Sequence, residues 1–153
     1  MNRPARALFA GFTMIELVVV MVIAGILAVF AISRINTQSF DTEGFANRAA
    51  AMVRYAQKLA ISQRRTVVVV TTAGPPSNIR LCYTDSTCAS AVREPPGTNA
   101  FSYDAPAGIS LTAATISFNA LGRPGAAATI SVTGDGTKTI TIAAETGYVQ
   151  YVP

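Results

Sequence analysis

The chain has 153 residues, half of them hydrophobic and only 13% charged, with no His, no Trp, two Cys and a formal net charge of +4. That length carries one domain, or one domain plus a membrane segment, and the apolar share excludes a disordered, solvating chain. Without His there is no Ser-His-Asp or Cys-His nucleophile, and two Cys cannot complete a four-Cys zinc or iron–sulfur site. An enzyme is disfavoured, and no metal or cofactor is expected.

The first 11 residues, MNRPARALFAG, carry Arg3 and Arg6 and no acid. The next 21, from Phe12 to Ile32, hold 18 of the chain's 77 hydrophobic residues and are interrupted only by Thr13, Glu16 and Gly25. As one helix they would span ~31 Å at ~1.5 Å per residue, the thickness of a bilayer's hydrocarbon core. The remaining 132 residues hold 77 − 18 = 59, an ordinary share for a soluble domain. The basic flank predicts a cytoplasmic N-terminus and an exported C-terminal part. A cleaved secretory signal competes, but it fits less well. The apolar run is long, no A-x-A-like site with a following mature start appears before Ser33, and an acid sits inside the run.

That acid, Glu16, would cost roughly 2.5–3.5 kcal/mol at the centre of a spanning helix. Alone it reads equally as a carboxylate that snorkels to the interface. Its neighbours add more. Gly11-Phe12-Thr13-Met14-Ile15-Glu16 followed by Leu17–Ile32 resembles the N-terminus of a type IV prepilin: short basic leader, Gly-Phe junction, Glu five residues into the mature chain. The resemblance implies a prepilin peptidase/N-methyltransferase that cuts between Gly11 and Phe12 and methylates the new Phe12 amine. It further implies that Glu16 pairs with the Phe12 ammonium of a neighbouring subunit in a filament. Such pairing is physically sensible, because an unpaired charge in hydrocarbon favours whichever register supplies its counter-charge. The mature chain would have 142 residues and a charge of 10 − 8 = +2. Many pilins carry a proline near the outer end of this run. Here the stretch reads Ala31-Ile32-Ser33-Arg34, and Gly25 is the only helix weakener inside the span.

From Gly44 to Gln63 the pattern is helical, with Phe45, Ala49, Val53, Ala56, Leu59/Ala60 and Gln63 on one face and Arg48, Arg54, Lys58 and Arg64 mostly off it. Asp41 or Thr42 would cap its start, with a break around Ser39–Gly44 in one long N-terminal helix. After Arg65 the chain becomes Thr-rich and β-branched. Strands are expected near Thr66–Thr72, Ile79–Tyr83, Ser110–Thr112, Thr115–Asn119, Thr129–Thr133, Thr137–Ala143 and Tyr148–Val152, with a hairpin about Gly134-Asp135-Gly136. The expectation is an α+β fold. It would divide into a leader at 1–11, a transmembrane/assembly helix at 12–33, an amphipathic extension at 34–65 and an antiparallel β domain at 66–153, helix packed on sheet.

The middle and C-terminal segments narrow the resemblance. Ser39-Phe40-Asp41, Gly44-Phe45, the run from Arg54 to Arg65, Ile116-Ser117-Phe118-Asn119, Gly122 and Glu145-Thr146-Gly147-Tyr148-Val149 look like the GspH/FimT group of minor pilins and pseudopilins. They are most similar to the minor pilin of mannose-sensitive haemagglutinin (MSHA) pili. This implies a type IV pilin fold and a non-catalytic subunit of a type IV pilus. Its partners would be the peptidase, other major and minor pilins, and inner-membrane lipid before assembly. It would sit in the inner membrane with a periplasmic C-terminal domain, and later at the cell surface. A type II secretion pseudopilin and a surface-binding subunit are the alternatives.

Cys82 and Cys88 enclose a short polar loop, and an even Cys pair in an exported domain reads as a disulfide worth roughly 2–3 kcal/mol in the chain-entropy model. Two reduced thiols remain the alternative in a reducing compartment. Residues 34–65 carry six Arg/Lys and two acids, whereas 66–153 carry four and five. Arg64, Arg65 and Arg123 are the candidates for contact with DNA or a partner, and a solvated basic face is the plainer reading. DNA-binding FimT-type members look as if they use Gly-Arg-x-Arg. Gly122-Arg123-Pro124-Gly125 lacks the second Arg, which makes DNA capture the minority expectation. Phe101, Tyr103, Phe118, Tyr148 and Tyr151 are expected in the core rather than on an adhesive surface.

Overall fold

The computed structural model describes residues 11–32 and 37–153, and side chains over 11–29 and 37–153. The chain divides into two compact units, Met1–Asn36 and Thr37–Pro153. Residues 1–10 of the leader expected at 1–11, and Ser33 and Arg34 at the outer end of the apolar run, lie outside the described residues.

Within the first unit, α1 covers Met14–Ile32, 19 residues. It starts two residues later than the apolar run because Thr13 caps it. The Glu16 amide donates to Thr13 Oγ1 at 3.2 Å and the Leu17 amide to the Thr13 carbonyl at 3.2 Å. Among the described residues no helix is long and apolar enough to cross a membrane.

In the second unit α2 runs from Thr37 to Gln63. The break expected at Ser39–Gly44 is absent, and neither Asp41 nor Thr42 caps the helix. Thr42 lies inside it, buried, with its hydroxyl donating to the Gln38 carbonyl at 2.7 Å. The same oxygen accepts the Asp135 amide at 3.3 Å, tying α2 to the Gly134–Gly136 turn. The buried face is wider than the spacing suggests: Ala46, Ala50 and Met52 join Phe45, Ala49, Val53, Ala56 and Ala60, while Gln63 is exposed. The physical reason is that α2 meets two sheets, touching β1 (Val67–Thr72), β2 (Asn78–Tyr83) and β5 (Ala114–Phe118) of one and β6 (Ala128–Thr133), β7 (Thr137–Ile142) and β8 (Val149–Val152) of the other. Five fully buried alanines let its backbone approach both.

The first sheet has the order β3-β2-β1-β5 and the second β4-β6-β7-β8, where β3 is Ser102–Asp104 and β4 is Ser110–Leu111; all pairs are antiparallel. Val69 stands between Leu81 and Ile116, and Ile130 opposite Ile140, so alternate residues of both sheets line one core with α2. Strand β1 is buried on both faces, as its four consecutive valines require, and Val68, Val70 and Cys82 form a second small cluster with Cys88. The hairpin β6–β7 and the other five expected strands are present to within one or two residues. Strand β3 was not expected, because Ser-Tyr-Asp has no apolar alternation. Polar groups hold it, with Asn78 Nδ2 donating to Ser102 Oγ at 2.8 Å and to Asp104 Oδ1 at 2.7 Å.

Candidate assembly site

Residues Gly11, Phe12 and Thr13 precede the helix, and Glu16 lies in its first turn. Phe12 is 81% exposed, and among the described residues no atom beyond the chain neighbours lies within 4 Å of the place a Cβ would take on Gly11. A carboxylate in a first turn is favoured by the unpaired amides and positive end of the helix dipole. Among the described residues Glu16 has no ion pair; the one salt bridge there joins Lys138 Nζ to Glu43 Oε2 at 3.3 Å. Around Glu16, Met14, Ile15, Leu17, Val18, Val19 and Val20 are all exposed, and the apolar surface continues to Val29. A helix apolar on every side is a buried or lipid-facing helix, so this one is incomplete without an apolar partner.

The basic candidates lie elsewhere, at the end of α2. Arg64 has φ +50° and terminates the helix. Its amide donates to the Ile61 carbonyl at 3.3 Å and the Arg65 amide to the Ala60 carbonyl at 3.2 Å, the paired bonds of a Schellman motif. The Arg65 guanidinium stacks on the Tyr83 ring, 3.8 Å from its centroid. Arg123 closes a turn in which Asn119 Oδ1 accepts the Leu121 and Arg123 amides at 2.9 and 3.1 Å.

Sequence reasoning missed what joins these parts. Gln57 Nε2, on α2, donates to the Gly122 carbonyl at 3.0 Å and the Thr146 carbonyl at 2.9 Å, so one amide ties the loop after β5 to the loop before β8 and thereby the two sheets to each other. Gly122 and Gly147 both take positive φ, +75° and +66°, and a Cβ on Gly122 would come within 2.6 Å of Ile61 Cδ1. The signal lay in the two glycines, although nothing in the sequence pairs them with Gln57.

The structure joins Cys82 to Cys88 with Cα atoms 5.0 Å apart, inside the ordinary disulfide range. Asp85 in the enclosed loop is held below the usual carboxylate range by the Thr87 hydroxyl and amide. Of the five aromatics expected in the core, Phe118 is fully buried. Phe101 and Tyr103 pack at its edge in a T-shaped chain with Tyr55, and Tyr151 is half-buried. Tyr148 is 66% exposed and departs from the expectation, because it precedes β8 on the Gly147 turn rather than occupying an inward strand position.

A prepilin-type N-terminus followed by one helix packed on antiparallel sheets defines the class: a minor pilin or pseudopilin. Residues 6–32 match the prokaryotic N-terminal methylation motif. Residues 46–147 match the type II transport protein GspH, and the chain belongs to the GspH family. The fold is similar to that of the type IV minor pilin FimU of Pseudomonas aeruginosa in two crystal forms. One has TM-score 0.60 and 18% identity, covering 75% of this chain and 90% of that one; the other has TM-score 0.58 and 19% identity, covering 72% and 92%. It is also similar to the minor pseudopilin EpsH of the Type 2 Secretion System of Vibrio cholerae, with TM-score 0.53 and 12% identity over 75% of this chain and 95% of that one. No curated protein sequence matches the chain closely enough to count as a relative.

Proposed function

We propose that the chain is a non-catalytic filament subunit, cut between Gly11 and Phe12, N-methylated on Phe12, and inserted into a type IV filament by its N-terminal helix. The observation that carries this reading is the solitary carboxylate of Glu16 on a helix otherwise exposing only apolar side chains around it. In a packed array of such helices the Phe12 ammonium of a neighbour is the nearest chemistry that neutralises Glu16. Each subunit would supply one acid and one amine, so register follows from charge pairing. Before assembly the same apolar surface, extended by residues outside those described, is held in the inner membrane with the Arg3/Arg6 flank in the cytoplasm and the domain of residues 37–153 in the periplasm. The cognate partners are then the prepilin peptidase and the other pilins of one filament.

The host system is a pilus of the MSHA type on the likeness of the sequence. A type II secretion pseudopilin is the second reading, supported by the match to the GspH family. Substituting Glu16→Ala tests the subunit role. Incorporation into sheared filaments should drop by an order of magnitude or more while the protein remains in the membrane fraction. Unchanged incorporation would overturn the pairing assigned to Glu16.

A further inference from the structure

The unit of residues 37–153 exposes five large apolar side chains: Phe40, Ile61, Leu121, Tyr148 and Val152. Three of them, Ile61, Leu121 and Tyr148, gather where the last turns of α2 meet the two loops that Gln57 ties together. The loops are not slack. The Asn119 amide donates to the Arg123 carbonyl at 3.0 Å and the Gly122 amide to the Asn119 carbonyl at 2.8 Å. On the other side the Ala143 amide donates to the Tyr148 carbonyl at 3.0 Å, the Gly147 amide to the Ala143 carbonyl at 2.9 Å, and the Tyr148 amide to Thr146 Oγ1 at 3.2 Å. Leu121 and Tyr148, 75% and 66% exposed, thus project from cross-tied turns, and little further conformational entropy is lost when they are covered.

Charge around the cluster has one predominant sign. Lys58 lies one turn before Ile61, Arg64 one turn after it, and Arg123 next to Gly122; the acid nearby in sequence is Glu145. Lys58, Arg64 and Arg123 have no ion pair among the described residues. A rigid Tyr-Leu-Ile centre inside a basic rim has the anatomy of a protein interface, where buried aromatic and aliphatic anchors supply affinity and rim charges select the partner.

We infer that this end of the domain, centred on Leu121 and Tyr148, is the docking surface for a different pilin-like subunit of the same filament, one presenting an apolar pocket rimmed by carboxylates. The inference rests on the filament-subunit reading above. A second copy of this chain is the wrong occupant, since a two-fold contact would set Lys58, Arg64 and Arg123 against themselves. Nucleic acid would engage the rim through its phosphates but leave the apolar centre unmatched.

The test uses the full chain in cells, with benzoylphenylalanine replacing either Leu121 or Thr129, an exposed position on β6. It is co-produced with the other prepilin-type subunits of its own system, tagged one at a time. Position 121 should cross-link to one tagged subunit, and the yield should fall at least about tenfold with Tyr148→Asp or with Lys58→Glu and Arg123→Glu together. Formation of the Cys82–Cys88 bond checks that each variant is folded. Cross-linking unaffected by these substitutions, or reaching only another copy, lipid or DNA from position 121, overturns the surface. Cross-links to subunits from position 129 but none from 121 overturn the surface while sparing the subunit role. Failure of both positions to reach any pilin-like subunit, with the chain absent from filaments, overturns that role itself.

Discussion

Gly147→Ala is the most informative single substitution in the domain. At φ +66° a Cβ would run into the Gly122 carbonyl oxygen and come within 2.5 Å of Gln57 Nε2. The left-handed backbone costs an L side chain about 1–2 kcal/mol. Expelling the Gln57 amide forfeits two hydrogen bonds at about 0.5–1.5 kcal/mol each. The sum is about 3 kcal/mol, equivalent to a fall in Tm of about 12 °C for a unit of 153 − 36 = 117 residues. Gly122→Ala should cost less, about 1–2 kcal/mol, because the obstacle is the flexible end of Ile61 rather than a backbone carbonyl. Gly44→Ala, with open space around it on α2, should stabilise by about 1 kcal/mol. Thermal unfolding of the full chain in detergent, followed by circular dichroism, ranks the three. The Gln57→Ala/Gly147→Ala double variant should lose less than the sum of the singles, since both remove the same bonds. A Gly147→Ala cost no larger than that of Gly122→Ala would refute the bridge.

Glu43 accepts hydrogen bonds from the Tyr151 hydroxyl at 2.6 Å and from Asn47 at 3.0 Å, and pairs with Lys138, which together hold its pKa below the ordinary carboxylate value. Burial, then the bond to Glu43, pushes Tyr151 up to about 12. Stability from Glu43 is therefore present above the unfolded carboxylate pKa of about 4.3 and lost as pH falls through the lower folded value. That from Tyr151 is present below about pH 10 and lost as pH rises through about 12, so urea midpoints across pH should trace both arms and Tyr151→Phe should flatten the alkaline one. Arg64→Gly should stabilise by about 1 kcal/mol, because glycine takes the helix-ending φ of +50° without the strain an L side chain meets; a loss in the denaturation midpoint would contradict the Schellman assignment.

Which features were legible depends on whether the determining interaction is local. The Gly11–Glu16 junction, the amphipathic α2 face and the β6–β7 hairpin each depend on neighbours a few residues away, and each stands in the sequence as a spacing or a turn. Strand β3 depends on Asn78, 24 residues from Ser102, and the split into two sheets depends on β5 pairing back to β1 across the intervening strands. The Gln57 bridge spans 65 and 89 positions. The extra buried alanines of α2 follow from the second sheet, and the exposure of Tyr148 from the Gly147 turn, neither of which has a local signature. Arg64 and Arg65 stood out as charges. Their local roles proved to be a helix terminus and a ring contact, made by backbone geometry and by Tyr83.

The central claim is that this chain is processed and built into a filament through its N-terminus. Mass spectrometry of the protein recovered from sheared surface filaments tests it directly. The account predicts a chain that starts at N-methylated Phe12 and lacks the first 11 residues. A protein absent from filaments, or present with Met1 intact or cut at a bond other than Gly11–Phe12, would contradict it.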